Sequence, residues 1–304
     1  MTRRPDFLII GAPKAGTTAL FHWLEAHPDI HLSTPKEPYF FEAEYHRGLD
    51  FYWRTFFAEG YRGQRLAGEA RTAHLYLPYV TERIHDALPD ARLVAVLRNP
   101  AQRAFSHWWM RRCNGREKLD FEDALRENFE ALEQGRGLQG PGTEDRWCAA
   151  MAPQPNRRGM RPVRWRALLE PGYYAEHLQR YLSHFSRAQL CVLLHDDLLA
   201  RPVETGRKLF GFLGLDPGEV RSAPAPENVA LTGFSRPLFR VSQRLQLERV
   251  LSRRLLGRLR TGLSRVGSRP SMPEATRRWL QEHYAPHNRR LEELIGRDLS
   301  AWER

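Results

Sequence analysis

Phe7-Leu-Ile-Ile-Gly-Ala-Pro-Lys-Ala-Gly-Thr-Thr-Ala-Leu20 is the stretch from which the fold can be read. Phe7 to Ile10 is a short apolar run, as a buried strand requires. Gly11 to Gly16 makes a tight loop. From Thr17 onward, Leu20, Trp23 and Leu24 recur at helical spacing, so a helix starts here. Strand, glycine loop and helix start gather backbone N–H groups and the positive end of a helix dipole around one point. Such a point holds a phosphate or sulfate group. Lys14 adds a cation, and Thr17 and Thr18 add two hydroxyl donors.

The spacing separates this loop from that of nucleoside triphosphatases. Those need Gly-x-x-x-x-Gly-Lys-[Ser/Thr], with lysine beside the magnesium-binding hydroxyl. Here Lys14 precedes Gly16 inside a shorter loop. The order Pro-Lys-x-Gly-Thr-Thr resembles the 5′-phosphosulfate loop of sulfotransferases that use 3′-phosphoadenosine 5′-phosphosulfate (PAPS). The resemblance implies that Pro13, Lys14, Ala15, Gly16, Thr17 and Thr18 hold the donor's 5′ end. The plain alternative is an ordinary β-turn-α connection. Only four of the 47 basic residues are lysines, and two of them, Lys14 and Lys36, fall in this first region. A compact ammonium suits a single leaving oxygen better than a planar guanidinium fork does.

The clearest strand is Arg92-Leu-Val-Ala-Val-Leu-Arg98, an apolar run closed by a charge. Asn99 and Pro100 then read as a cap and first turn of a helix. Arg98 at a strand's carboxyl end stands where open α/β sheets bind ligands. Ser106 lies about two helical turns further on. Arg-x-Pro-x-x-Arg-x-x-Ser resembles the family's 3′-phosphate motif, which assigns that phosphate to Arg98 and Ser106. A guanidinium and a hydroxyl both donate to phosphate oxygens. Together the two motifs would bracket a nucleotide phosphorylated at both ends. The expected fold is an α/β domain with a central parallel sheet flanked by helices and a P-loop-like core.

Ser33-Thr-Pro-Lys-Glu-Pro-Tyr-Phe-Phe41 reads as an extended segment, kept out of helix by Pro35 and Pro38. Glu37, between those prolines, is the residue singled out as general base; the alternative is a solvated surface glutamate. Lys-Glu-Pro-x-Phe-Phe resembles the segment of heparan-type and related bacterial sulfotransferases whose glutamate contacts the acceptor hydroxyl. The aromatic run to Tyr61 reads as helix, packed in the core or walling an acceptor site. Leu66-Ala-Gly-Glu-Ala-Arg-Thr-Ala-His74 resembles the family's next strand and loop, but the family often carries Ser-Pro or Thr-Pro there. Arg71 and Thr72 depart from that pattern. His74 is a second base candidate, although a lone histidine is more often structural.

The whole chain, 1–304, reads as one domain with a loop insertion at about 135–165 and a basic helical insertion at about 234–269. The first is rich in glycine and proline. The second carries ten arginines against one acid, Glu248, with leucines and valines at near-helical spacing. It suits a peripheral contact with an anionic membrane or polyanion, or is a helix with a solvated arginine face. The resemblance offers Ser235 and Arg236 as further donor contacts. The net charge of +11 points to anionic partners. Cys113, Cys148 and Cys191 form neither a disulfide framework nor a ligand spacing, so free thiols in a reducing compartment and no metal are expected. Without a signal-peptide pattern or a long apolar run, a cytoplasmic location, with peripheral membrane contact, is the expectation.

The function implied is transfer of a sulfuryl group from PAPS to a hydroxyl or amine of a glycan, lipid or small molecule, with no specific nucleic acid partner. Two alternatives are a nucleotide kinase or triphosphatase with a degenerate phosphate loop, and a non-catalytic basic nucleic-acid-binding protein. The first lacks Gly-Lys-[Ser/Thr] and has Arg98 where a magnesium-binding aspartate would stand. The second leaves both phosphate motifs unexplained.

Overall fold

The computed structural model describes residues 3–113, 116–140, 142–151, 166–220 and 270–303. Five parallel strands make one sheet in the order β2-β3-β1-β4-β5. They are β1 (Phe7–Gly11), β2 (Ile30–Leu32), β3 (Leu66–Ala70), β4 (Arg92–Leu97) and β5 (Leu190–Leu194). Every residue of β1, β3 and β5 is buried. A parallel sheet covered on both faces needs uninterrupted apolar strands rather than alternating ones, which is why they were legible. Glu69 is the one charged residue within these three strands, and it is fully buried.

Ten helices are described around the sheet: α1 (Thr17–Glu25), α2 (Gly48–Phe56), α3 (Pro78–Ala87), α4 (Pro100–Cys113), α5 (Phe121–Glu133), α6 (Thr143–Met151), α7 (Tyr174–Leu182), α8 (His195–Ala200), α9 (Pro202–Leu213) and α10 (Glu274–Ile295). From central β1 the chain runs out to β2, returns through β3, then crosses to β4 and β5. The order reverses at the carboxyl ends of β1 and β4, the place where open α/β sheets leave a ligand crevice. The β1–β4 register shifts between Ile9 and Gly11, at the entry to the loop. The Asn99 side-chain oxygen accepts from the N–H groups of Ala101 (3.0 Å) and Gln102 (3.2 Å), so the expected cap of α4 is made.

The aromatic segment serves the core. Phe40 stacks on Tyr52 at 4.3 Å and Trp53 on Phe57 at 5.2 Å, with Phe40, Tyr52 and Phe57 all buried. Two elements differ from the sequence reading. Phe40–Glu44 is a π-helical turn rather than extended chain, since beyond Pro38 the N–H groups are free to pair and burial of Phe40 and Phe41 curls the backbone. The stretch expected as irregular loop contains α6. Its helix interior holds no glycine or proline, Glu144 and Asp145 stand in its first turn, and Trp147 is buried.

Position 141 and residues 152–165 of that stretch, and all of 234–269 with Ser235 and Arg236, lie outside the described residues. All three cysteines are free. Among the described residues no helix is long and apolar enough to cross a membrane, and no group of three or more His, Cys, Asp or Glu could hold a metal ion.

Candidate active site

The loop between β1 and α1 is pinned from three sides. The Ala12 N–H donates to Val96 O on β4 at 2.7 Å. The N–H groups of Arg71 and Leu75, beyond β3, donate to Ile9 O (3.0 Å) and Ile10 O (2.8 Å). A Cβ on Gly11 would stand 2.7 Å from the Leu75 Cβ, so only glycine allows this approach. Gly16, at φ 99°, precedes α1, whose first turn carries no acidic residue and receives no side-chain cap. The first N–H groups of a helix have no partner within it, and here they open on the loop. Lys14, at φ 68°, is the one non-glycine residue with positive φ among the described residues. Such strain persists only where the surroundings enforce it, and it concentrates at ligand sites.

Arg98 joins the loop to the other motif. Its Nη1 donates to Lys14 O at 3.2 Å and its Nη2 to Gln102 Oε1 at 3.3 Å, while its Nε is buried without a partner. Burial pulls its pKa below the usual guanidinium value. Beside it opens a cavity of about 320 Å³ lined by Asn99, Gln102, Phe105 and Met272 among others. Ser106 is half-buried on the second turn of α4 and outside that lining. His195, at the start of α8, reaches the loop as well: a Cβ on Gly16 would meet its Cδ2 at 3.4 Å.

Glu37 is half-exposed and held at both oxygens. Oε1 accepts from Lys36 Nζ at 3.2 Å and Oε2 from Arg71 Nη1 at 3.0 Å. Arg71 also forks onto Glu42, with Nε on Oε1 and Nη2 on Oε2, the latter at 2.6 Å. Trp147 Nε1 on α6 donates to Glu42 Oε2 at 2.8 Å. Burial opposes the charge of Arg71, but the hydrogen bond and charge of Glu42, with Glu37 behind it, prevail and hold its pKa above the ordinary value.

Next to this network, Tyr52, Glu69 and His74 are buried together. Both His74 nitrogens lack a hydrogen-bond partner, with Nδ1 3.5 Å from Glu69 Oε1, while the Tyr52 hydroxyl interacts with the Glu69 carboxyl. Burial drives the Glu69 carboxyl up to about 8 and His74 well below the usual histidine range. His74 is therefore enclosed and weakly basic, which counts against it as the second base candidate. Between pH 4.5 and about 8 the folded chain keeps a proton on Glu69 that the unfolded chain has released. Stability therefore falls as pH rises through this window. Glu69→Gln should abolish that slope. Between pH 6 and pH 9 the wild type should lose roughly 3 kcal/mol of stability relative to the variant, measured as urea midpoints at the two pH values. Parallel pH dependence in the two proteins would contradict the assignment.

Lys14, the loop, Arg98 and, through Arg71, Glu37 are thus brought to the carboxyl edge of one sheet. Sequence reasoning missed Glu42, Trp147 and His195. The available signal was Glu42 five residues after Glu37, inside an aromatic run where a solvated acid is out of place.

A model of the sulfotransferase domain matches residues 4–225. Human heparan sulfate glucosamine 3-O-sulfotransferase 6 is 30% identical over 297 residues, covering 98% of this chain and 73% of that protein. Human bifunctional heparan sulfate N-deacetylase/N-sulfotransferase 2 is 29% identical over 71% of this chain, which spans only 22% of its length. The crystal structure of a sulfotransferase from Alicyclobacillus acidocaldarius superposes with a TM-score of 0.68 at 28% identity, covering 100% of both chains.

Proposed function

From the premise that the chain belongs to the sulfotransferase domain family and is a sulfotransferase, we propose that PAPS is its donor, Glu37 its general base, and a glycan or small-molecule hydroxyl or amine its acceptor. The observation that carries the reading is the Arg98–Lys14 contact. It links the 5′ loop to a half-buried guanidinium whose unpartnered Nε lies beside a cavity. A nucleotide with phosphates at both ends fits that pair of cationic sites. The kinase alternative is not favoured, because the loop lacks Gly-Lys-[Ser/Thr] and β4 ends in Arg98 rather than an aspartate.

In this scheme Glu37 takes the proton as the acceptor oxygen or nitrogen attacks sulfur. The bond from sulfur to the donor's 5′-phosphate oxygen breaks, and adenosine 3′,5′-bisphosphate leaves. Lys14, the loop N–H groups, Thr17 and Thr18 meet the charge that develops on that oxygen. Arg98 and Ser106 hold the 3′-phosphate. Transfer is in-line, so positioning and charge stabilisation supply most of the acceleration. Two heparan sulfate relatives, one named for O- and one for N-sulfation, support an acceptor carrying a hydroxyl or amine. The basic stretch 234–269 would suit a polyanionic acceptor or an anionic membrane.

Adenosine 3′,5′-bisphosphate at 100 times its Kd should raise Tm by about 4 °C. Adenosine 5′-monophosphate, lacking the 3′-phosphate, should raise it much less at equal concentration. Equal shifts would remove the role given to Arg98 and Ser106. Labelled PAPS incubated with extract of the source cell then identifies the acceptor from its labelled product.

A further inference from the structure

We propose that Arg71 is a positioning residue for the sulfuryl transfer, holding the Glu37 carboxylate in one orientation by a guanidinium that Glu42 anchors inside the protein. The inference rests on the reading of Glu37 as the base.

The geometry has three parts. Glu42 is completely buried, and an isolated carboxylate there would be costly. It is matched by the bidentate fork from Nε and Nη2 of Arg71 and by the Trp147 indole. With those two nitrogens committed, the third, Nη1, has a single direction left, and it meets Glu37 Oε2 at 3.0 Å. The Tyr39 ring lies 4.3 Å from the guanidinium carbon and closes one face of its plane. The main chain of Arg71 is fixed too, through its N–H to Ile9 O on β1, the strand that carries the Lys14 loop. One residue thus connects the base to the strand that places the leaving-group cation.

A lysine cannot reproduce this. Its three donors share one compact, rotatable nitrogen, whereas the planar fork serves two carboxylates in fixed directions. Lys36, the other donor to Glu37, sits next to it in sequence and lies 5.8 Å from the Phe21 ring centroid on α1, a looser hold than the buried fork of Arg71. Glu42 in turn ties Arg71 to α6, where Cys148 Sγ donates to Glu42 O at 3.4 Å and Arg83 bridges from the Phe41 carbonyl (3.0 Å) to Glu144 (2.6 Å).

Removing Arg71 alone leaves Glu42 buried and unpaired, a change that threatens folding. Two variants avoid this. Arg71→Lys keeps a charge beside Glu42, and Arg71→Met combined with Glu42→Gln removes both charges. The readouts are transfer from sulfur-labelled PAPS to desulfated heparan sulfate and, needing no acceptor, slow sulfate release from PAPS to water. Thermal shift with adenosine 3′,5′-bisphosphate reports folding and the donor site. Misplacing a catalytic group by about 1 Å costs on the order of 10²-fold. We therefore expect turnover to fall about 10-fold in Arg71→Lys and about 30- to 100-fold in the double variant, with the KM for PAPS and the thermal shift unchanged. In a Glu37→Gln background the same changes should cause no further loss, because there is no base left to position. Turnover within about twofold of wild type in the double variant, or an undiminished further loss in the Glu37→Gln background, would overturn the proposal. If Glu37→Gln is itself fully active, the assignment of the base fails first. If Glu37→Gln is inactive while the Arg71 variants are not, only the positioning role fails.

Discussion

Lys14→Met should lower turnover of PAPS by about 10²- to 10³-fold, the scale on which a preorganised donor to a developing oxyanion contributes. The substitution keeps the stem and removes the ammonium. It does not change the backbone demand at φ 68°, since lysine already carries a Cβ there. The carbonyl that accepts from Arg98 also remains, so the link between the two phosphate sites survives. The loss should therefore fall mainly on kcat, with a smaller rise in KM for the donor and a largely retained thermal shift with adenosine 3′,5′-bisphosphate. Arginine at position 14 should rescue poorly, because a planar fork does not fit the place of a compact cation. A kcat within threefold of wild type would show that the loop N–H groups and threonine hydroxyls suffice for the leaving oxygen.

Glu37→Gln is expected to reduce turnover by roughly 10²-fold or more through loss of the general base. The amide oxygen still accepts from Arg71, so the shape of the site is kept while its proton acceptor is lost. Donor binding should be little changed, since the contacts proposed for PAPS come from the loop and from Arg98. Transfer to water and transfer to an added acceptor should fall together if the same carboxylate activates both. Undiminished transfer would move the base off Glu37. His74 is a poor alternative, because its ring is completely enclosed and its basicity is lowered by burial.

The sequence by itself determined the sheet and the setting of the Lys14 loop and Arg98 at its carboxyl edge. Phe7 to Gly16, Arg92 to Arg98 and the Asn99-Pro100 start of α4 are legible because their causes are local. Apolar runs without alternation, a glycine where a Cβ would clash, and a cap two residues ahead of the N–H it serves all act within a few positions of the chain. Glu37 stood out for the same reason, being held between two prolines. The tertiary structure alone decided what surrounds that carboxylate. Arg71 reaches Glu37 across 34 residues and Glu42 across 29, and Trp147 reaches Glu42 across 105. No spacing rule spans such distances. Whether a charged side chain is solvated or enclosed depends on which elements pack over it, so the aromatic run around Glu42 hinted at burial without naming its partners, and which groups enclose Glu69 was not legible. The same cause turned a stretch read as loop into α6: its nine residues carry little helical pattern, and their helix is fixed where Trp147 seats beside the buried Glu42.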